Sequence, residues 1–259
     1  MGRKISGRIK KDLKKKIKNA KKTIFFLDYD GTLTPIRKEP SLARIGKKIK
    51  NLLKKLSKNP AFKVFIISGR SLKDVRGLIG IKSIYYIGNH GIELAGPGAE
   101  YVNKSAKKLV GFIRKSCDSL RRALKLKGVF VENKTFTLSV HYRRLEPSRQ
   151  AVFAKRFAVI TKDLKKNKKI RITEGKKVFE IRPAVKWNKG EIVKWVLKKN
   201  KKCLPICIGD DITDEDAFRA LGEKGISILV AKRRRRTFAQ YRLSSPRKVA
   251  GFLEWVLTL

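Results

Sequence analysis

The sequence predicts an α/β protein: a Rossmann-like, mostly parallel sheet with a smaller α+β unit inserted into it. Three observations carry this reading. Short continuous apolar runs, such as Thr23-Ile-Phe-Phe-Leu27 and Val64-Phe-Ile-Ile67, alternate with helical stripes, the pattern of strands buried on both faces and their crossover helices. Polar residues follow these runs directly. Between Pro97-Gly98 and Pro183 the pattern changes to a helix followed by a pair of strands, twice over.

Residues 1–22 hold eleven Lys/Arg and one acid, with Ile9, Leu13 and Ile17 spaced i, i+4, i+8. That spacing predicts a basic amphipathic helix, either packed on the next domain by its narrow stripe or solvated as an arm. Thr23–Leu27 reads as a buried strand broken by Asp28-Tyr-Asp-Gly31. Ile45, Ile49, Leu52, Leu53 and Leu56 form a helical stripe, and Val64–Ile67 is the next strand, ending in Ser68-Gly-Arg70. A short helix and the strand Ser83–Ile87 lead into Gly88-Asn-His-Gly91. The insert opens with a helix over 104–126, then strands at Val129–Val131 and Phe136–Tyr142. A helix over 148–164 and strands at Ile170–Ile172 and Val178–Arg182 follow. The first pattern resumes after Pro183: a helix from Asn188, the strand Pro205–Ile208, Gly209-Asp-Asp211, a helix, the strand Ile226–Val230 and a last helix to Trp255. The expected division is a basic arm at 1–22, a discontinuous core of 23–95 and 184–259, and an inserted cap at 96–183.

The chain has 259 residues, 42% of them apolar, with a formal net charge of +45. An apolar fraction this large excludes a wholly disordered chain despite the charge. No apolar run reaches the ~18 residues of a membrane-spanning helix, and no apolar stretch follows the basic N-terminus as a signal peptide requires. The three cysteines cannot all pair, so a reducing, cytoplasmic compartment is expected. A monomer is expected as well.

Acids are scarce, so their placement is informative. Asp28, Asp30, Asp210, Asp211, Asp214, Glu215 and Asp216 make up seven of the 21 acids and sit in two short segments. Two carboxylate clusters in so basic a chain suggest a bound cation or acid/base chemistry. Asp214 to Asp216 also suit the first turn of a helix; Asp28 and Asp30 have no such explanation. Open parallel sheets bind ligands beyond the carboxyl ends of their strands, where Asp28, Asp30, Ser68 and Asp210 all fall. Of the two carboxylates at one strand end, one can attack and the other can move a proton. Ser68 offers a hydroxyl to a phosphate oxygen or caps the following helix. Lys189 opens a helix, whose N-terminus favours an anion. Asp210 and Asp211 are hard oxygen donors that suit Mg²⁺.

Asp28-Tyr-Asp-Gly-Thr-Leu-Thr-Pro-Ile36, Ile67-Ser-Gly-Arg70, Lys189-Gly190 and Gly209-Asp-Asp-Ile-Thr-Asp-Glu-Asp216 resemble the four ordered motifs of the haloacid-dehalogenase-like (HAD) phosphatases. Their wording, with Gly88-Asn-His-Gly91, is similar to that of the trehalose-6-phosphate phosphatases, over about 23–255. The resemblance implies a hydrolase with Asp28 as nucleophile, Asp30 as proton donor and then base, and Ser68 and Lys189 on the phosphoryl oxygens. It implies Mg²⁺ on the Asp28 carboxylate, the Asp30 carbonyl and Asp210, with Asp211 and Asp214 in support. Arg70, Asn89 and His90, and in the cap Glu132, Lys134, Arg143 and Glu180, are the implied sugar-phosphate contacts. Arg70 is alternatively an ion pair with an Asp of the last motif, and His90 a turn residue. Sucrose-phosphate and mannosyl-3-phosphoglycerate are the alternative substrates.

The family does not require +45. Residues 3–22 and Lys232-Arg-Arg-Arg-Arg236 are the densest basic blocks. Incidental polyanion or nucleic-acid binding is the competing class, but aromatic residues scarcely interleave these blocks and no nucleic-acid-binding signature accompanies them.

Overall fold

The computed structural model describes residues 2–37, 42–175 and 177–259. The chain divides into two compact units, Met1–Tyr101 with Trp187–Leu259, and Val102–Lys186. No described helix is long and apolar enough to cross a membrane.

The larger unit begins with β1 (Arg3–Lys4), α1 (Gly7–Asn19), β2 (Thr23–Asp28), α2 (Lys47–Lys58), β3 (Phe62–Ile67), α3 (Leu72–Ile79) and β4 (Tyr85–Gly88). Next come β5 (Glu93–Gly96) and β6 (Ala99–Val102). The inserted unit contains α4 (Lys104–Lys107), α5 (Val110–Ala123), β7 (Phe130–Asn133), β8 (Leu138–His141), α6 (Pro147–Ile160), α7 (Lys162–Lys166), β9 (Ile170–Gly175) and β10 (Val178–Pro183). The chain then forms α8 (Lys189–Lys199), β11 (Leu204–Gly209), α9 (Asp214–Leu221), β12 (Ile226–Val230), β13 (Tyr241–Leu243) and α10 (Pro246–Val256).

Nine strands form one sheet in the order β1-β13-β12-β11-β2-β3-β4-β5-β6. Pairing is parallel from β1 through β4 and antiparallel between β4 and β5. Successive side chains of β2 serve opposite faces. Phe25 and Leu27 join the core under α1, α2, α3 and α10, whereas Ile24 and Phe26 join the core under α8 and α9. Both faces are covered, which is why the central strands read as unbroken apolar runs.

The N-terminal segment is part of this core. Leu13 and Ile17 on α1 are 0% and 5% exposed and lie in the cluster that holds Phe25 and Leu253. Lys10 lies over the Trp255 ring of α10, and β1 extends the sheet beside β13. The expected helix is therefore a packed element, and the solvated-arm alternative does not hold. Two other expectations are refined. The helix over 104–126 is two helices, α4 and α5, and that over 148–164 breaks between Ile160 and Lys162 into α6 and α7.

In the inserted unit the strands run β7-β8-β10-β9, antiparallel throughout. Val131, Leu138, Val140, Phe179 and Ile181 pack with Ile113, Cys117, Phe153 and Phe157 of the helices. The pleat sends the intervening residues to the other face, so Glu132, Ser139, Glu180 and Thr173 form one row across four strands.

Candidate active site

The carboxyl ends of three neighbouring strands and the start of one helix build the site. β2 ends on Asp28, β3 runs into Ser68, β11 runs into Asp210, and α8 starts at Lys189. The Asn188 side chain caps α8 by accepting the Glu191 N–H, which fixes the first turn that carries Lys189.

Lys189 is 2% exposed. Its Nζ donates to Asp28 Oδ1 at 2.8 Å and to Asp214 Oδ1 at 2.7 Å. Burial alone would lower the Lys189 pKa, but Asp214 and Asp28 outweigh it and hold it above its ordinary value. Oxygens of Asp28, Asp210 and Asp214 all lie within 4.8 Å of one another. Three carboxylates against one ammonium leave an excess of negative charge in a buried place. Burial pushes the Asp28 carboxyl well above its usual range, Lys189 opposes this, and Asp214 and Asp210 add to it. Asp28 Oδ2 is buried with no hydrogen-bond partner among the described residues. A hard divalent cation fits this donor set, because it supplies the missing positive charge and takes oxygen ligands.

Asp214 stands between Lys189 and the β11 loop. Its Oδ2 accepts the N–H groups of Asp210 and Asp211, at 3.1 and 3.0 Å. Both of its oxygens are thus engaged, and it shapes the loop that carries Asp210. Asp211 lies outside the three-carboxylate group, and its Oδ1 accepts the Ile212 N–H at 2.7 Å. Gly31 has φ +90°, and a Cβ there would overlap the Asp210 carboxylate. The first motif needs glycine at this place both for the left-handed backbone and for the approach of Asp210.

Asp30 turns to a different partner. Arg70 Nε donates to its Oδ2 at 2.8 Å and Arg70 Nη2 to its Oδ1 at 2.9 Å, while Nη1 holds Asp74 Oδ2 at 2.7 Å. The Arg70 guanidinium lies over the Tyr29 ring, and the Tyr29 hydroxyl is anchored on the Ala43 carbonyl. Two of the Arg70 partners are thus Asp30 and Asp74. Ser68 does not cap α3, since Ser71 does so by accepting the Asp74 N–H. Ser68 is buried, and its Oγ accepts the Arg70 N–H at 3.1 Å.

Asn89 and His90 interlock the two strand ends. The Asn89 N–H donates to the Arg70 carbonyl at 2.7 Å and the His90 N–H to the Ser68 carbonyl at 3.0 Å. The Asn89 amide donates to Glu93 Oε1 at 2.6 Å, and the His90 ring fills the space a side chain at Gly69 would need.

In the inserted unit Glu180 is the hub. Its Oε1 accepts from Lys134 Nζ at 3.2 Å and from Ser139 Oγ at 3.3 Å, and its Oε2 pairs with Arg182. Glu132 Oε2 meets His141 Nε2 at 2.8 Å, and Tyr142 donates to Glu174 Oε1 at 2.7 Å. Arg143 is half-buried in the turn after β8. Sequence reasoning missed Asp74, Glu93 and Arg235 as neighbours of the site residues. The i, i+4 spacing of Arg70 and Asp74 was the available signal for one of them; Glu93 and Arg235 had none.

Residues 26–247 match the family model described as trehalose-phosphatase. Trehalose-phosphate phosphatase B of Arabidopsis thaliana is 38% identical over 251 residues, covering 90% of this chain and 66% of the relative. A second Arabidopsis thaliana protein, probable trehalose-phosphate phosphatase C, is 36% identical, covering 90% of this chain and 76% of its own. The chain thus spans roughly two thirds to three quarters of these plant proteins. The solved C-terminal domain of the C. albicans trehalose-6-phosphate phosphatase superposes with a TM-score of 0.86 at 27% identity, covering 100% of this chain and 99% of that one. The motifs, the strand-end carboxylates and these likenesses agree: the chain belongs to the trehalose-phosphatase family, of the HAD type.

Proposed function

We propose that this chain is a Mg²⁺-dependent phosphatase that hydrolyses trehalose 6-phosphate to trehalose and phosphate through an aspartyl-phosphate on Asp28. The observation that supports this most is the Asp28 carboxylate itself. One oxygen is held by Lys189, the other is buried without a hydrogen bond among the described residues, and Asp210 and Asp214 stand beside it.

Asp28 attacks phosphorus. The bond from phosphorus to the sugar oxygen breaks, and Asp30 gives that oxygen its proton. Asp30 then takes a proton from water, the water oxygen attacks phosphorus, and the bond to Asp28 breaks to release phosphate. Arg70 keeps the Asp30 carboxylate in one orientation between these steps. Lys189 and the Ser68 hydroxyl offset charge on the phosphoryl oxygens. The Asp28 and Asp210 carboxylates and the Asp30 carbonyl would hold Mg²⁺, which supplies Lewis-acid polarisation of a phosphoryl oxygen and screens like charges.

The sugar is read by the inserted unit in this proposal. What supports it is a cluster of charged side chains, Glu180 with Lys134 and Arg182, and Glu132 with His141, on the sheet face that its helices do not cover. Arg143, in the turn after β8, completes the proposed contacts within this unit. The test is phosphate release from a panel of trehalose 6-phosphate, sucrose 6-phosphate and mannosyl-3-phosphoglycerate, with Mg²⁺ and with chelator. Preference for either of the last two would reassign the substrate.

A second reading concerns polyanions. The outward side of α1 carries Arg8, Lys10, Lys11, Lys14, Lys15, Lys16 and Lys18, all exposed, against the single acid Asp12. Such a face would bind nucleic acid in a strongly salt-dependent way. Retention on a DNA column across a salt gradient tests it.

A further inference from the structure

The basic block Lys232-Arg-Arg-Arg-Arg236 is unexplained by the phosphatase chemistry. It follows β12, so it leaves the same edge of the sheet as Asp28 and Asp210. Its backbone is tied at both ends. Arg242 Nη1 donates to the carbonyls of Ala231 and Lys232, each at 2.8 Å. At the other end Glu215 Oε2 accepts the Phe238 N–H at 2.8 Å and the Thr237 hydroxyl at 3.1 Å. Within the block Lys232, Arg233, Arg234 and Arg236 are exposed, and Arg235 alone is half-buried.

Arg235 Nη2 donates to the Asp210 carbonyl at 3.2 Å and lies 3.4 Å from Glu215 Oε1. The Glu215 side chain is 9% exposed, and Oε1, unlike Oε2, has no hydrogen bond among the described residues, so Arg235 is the cation that faces this oxygen. The Asp210 backbone is therefore gripped on both sides: its N–H by Asp214 Oδ2, its carbonyl by Arg235.

We propose that Arg235 is a positioning residue for the cation site, acting through the Asp210 carbonyl and Glu215 to fix where the Asp210 carboxylate stands. The proposal rests on the phosphatase reading above, because it assumes that Asp210 holds Mg²⁺. Mg²⁺ tolerates little departure from octahedral geometry at about 2.0–2.1 Å, whereas Ca²⁺ accepts looser, longer bonds. A mobile Asp210 thus harms Mg²⁺ binding more than Ca²⁺ binding. Electrostatics alone works in the opposite sense, since removing a nearby cation strengthens the attraction for a metal ion. The sign of the effect separates positioning from charge.

The experiment measures Mg²⁺ and Ca²⁺ dissociation constants by calorimetry on the full chain without substrate, for wild type, Arg235→Met, Arg235→Lys and Arg234→Met. Arg234→Met removes the same charge from an exposed neighbour. Arg235→Met is expected to weaken Mg²⁺ by about tenfold or more, the scale for groups that orient metal ligands, and Ca²⁺ by less than about threefold. Arg235→Lys, which keeps one donor and the charge, is expected to recover most of the Mg²⁺ affinity. Arg234→Met is expected to leave it unchanged or slightly tighter. Unchanged or tighter Mg²⁺ binding in Arg235→Met overturns the proposal. So do equal losses for both ions accompanied by a lower melting temperature of the metal-free protein, which would make Arg235 a support of the fold alone. If these results hold while the wild type releases no phosphate from any sugar phosphate, the positioning role stands and the substrate reading falls. A wild type that binds no Mg²⁺ overturns both.

Discussion

Arg70 holds Asp30 with a two-pronged grip, Nε on Oδ2 at 2.8 Å and Nη2 on Oδ1 at 2.9 Å, and the same guanidinium reaches Asp74 at 2.7 Å. The geometry is that of a planar fork on a carboxylate, which lysine cannot reproduce. Arg70→Lys and Arg70→Met should both lower turnover, by about tenfold or more, because Asp30 loses its fixed orientation. The Asp30 and Asp74 side chains are 40% and 39% exposed, so water can solvate both when the arginine is gone. The melting temperature should therefore fall by only a few degrees, as for a partly exposed pair. Steady-state kinetics with a melting curve for each variant checks this; unchanged turnover in Arg70→Lys would show that the fork is not needed.

The N-terminal helix gives a stability prediction. Leu13 is fully buried against the sheet core, and Leu→Ala at such sites costs about 2–5 kcal/mol. Leu13→Ala should lower the denaturation midpoint markedly, whereas Lys14→Ala on the exposed side should leave it within error. Deleting residues 1–20 should be worse than Leu13→Ala. Equal stability of the full-length and truncated chains would contradict the packing described.

The sequence made the central sheet legible because its strands are buried on both faces and interrupted by motifs of distinct wording. It did not reveal β1 and β13, whose two and three residues are too short to show any periodicity. Nor did spacing reveal whether the stripe Ile9, Leu13, Ile17 is buried, because a narrow stripe suits either a packed helix or a surface one. At the site, Asp28, Lys189 and Asp210 were readable from their places at element ends. Asp214 was named only through the family resemblance, because helix-start acids have an ordinary capping explanation. Arg235 was hidden among chemically identical neighbours, and only the tertiary fold distinguishes it from Arg234.

Metal binding should be visible in the fold as well as in the rate. On the proposed ligand set a cation would compete with protons for the carboxylates, so Mg²⁺ should raise the melting temperature at neutral pH and do so less as the pH is lowered. Asp210→Ala should abolish the shift. A melting temperature indifferent to Mg²⁺ and to chelator would remove Asp210 and Asp28 from the role of ligands.

A substitution at Glu180 tests the proposed sugar recognition apart from the chemistry. Glu180→Gln keeps the shape and the Ser139 contact but removes the charge that faces Lys134 and Arg182. It should lower kcat/KM for trehalose 6-phosphate by about tenfold or more, consistent with loss of a charged hydrogen bond. It should leave a small aryl phosphate within about threefold, because that substrate has no sugar to read. Equal losses on both substrates would assign Glu180 to the stability of the β8–β10 pair instead.

The most direct test is the turnover of Asp28→Asn with trehalose 6-phosphate and saturating Mg²⁺, together with a search for phosphate on the peptide that contains Asp28 after rapid quenching of the wild type. Asparagine matches aspartate in size but carries no nucleophilic charge. Covalent catalysis by Asp28 predicts a fall of several orders of magnitude in the variant, with the fold intact, and a phosphorylated Asp28 in the quenched wild type. A variant that keeps more than about a tenth of the wild-type rate, a change of only ~1.4 kcal/mol in the barrier, would contradict covalent catalysis by Asp28.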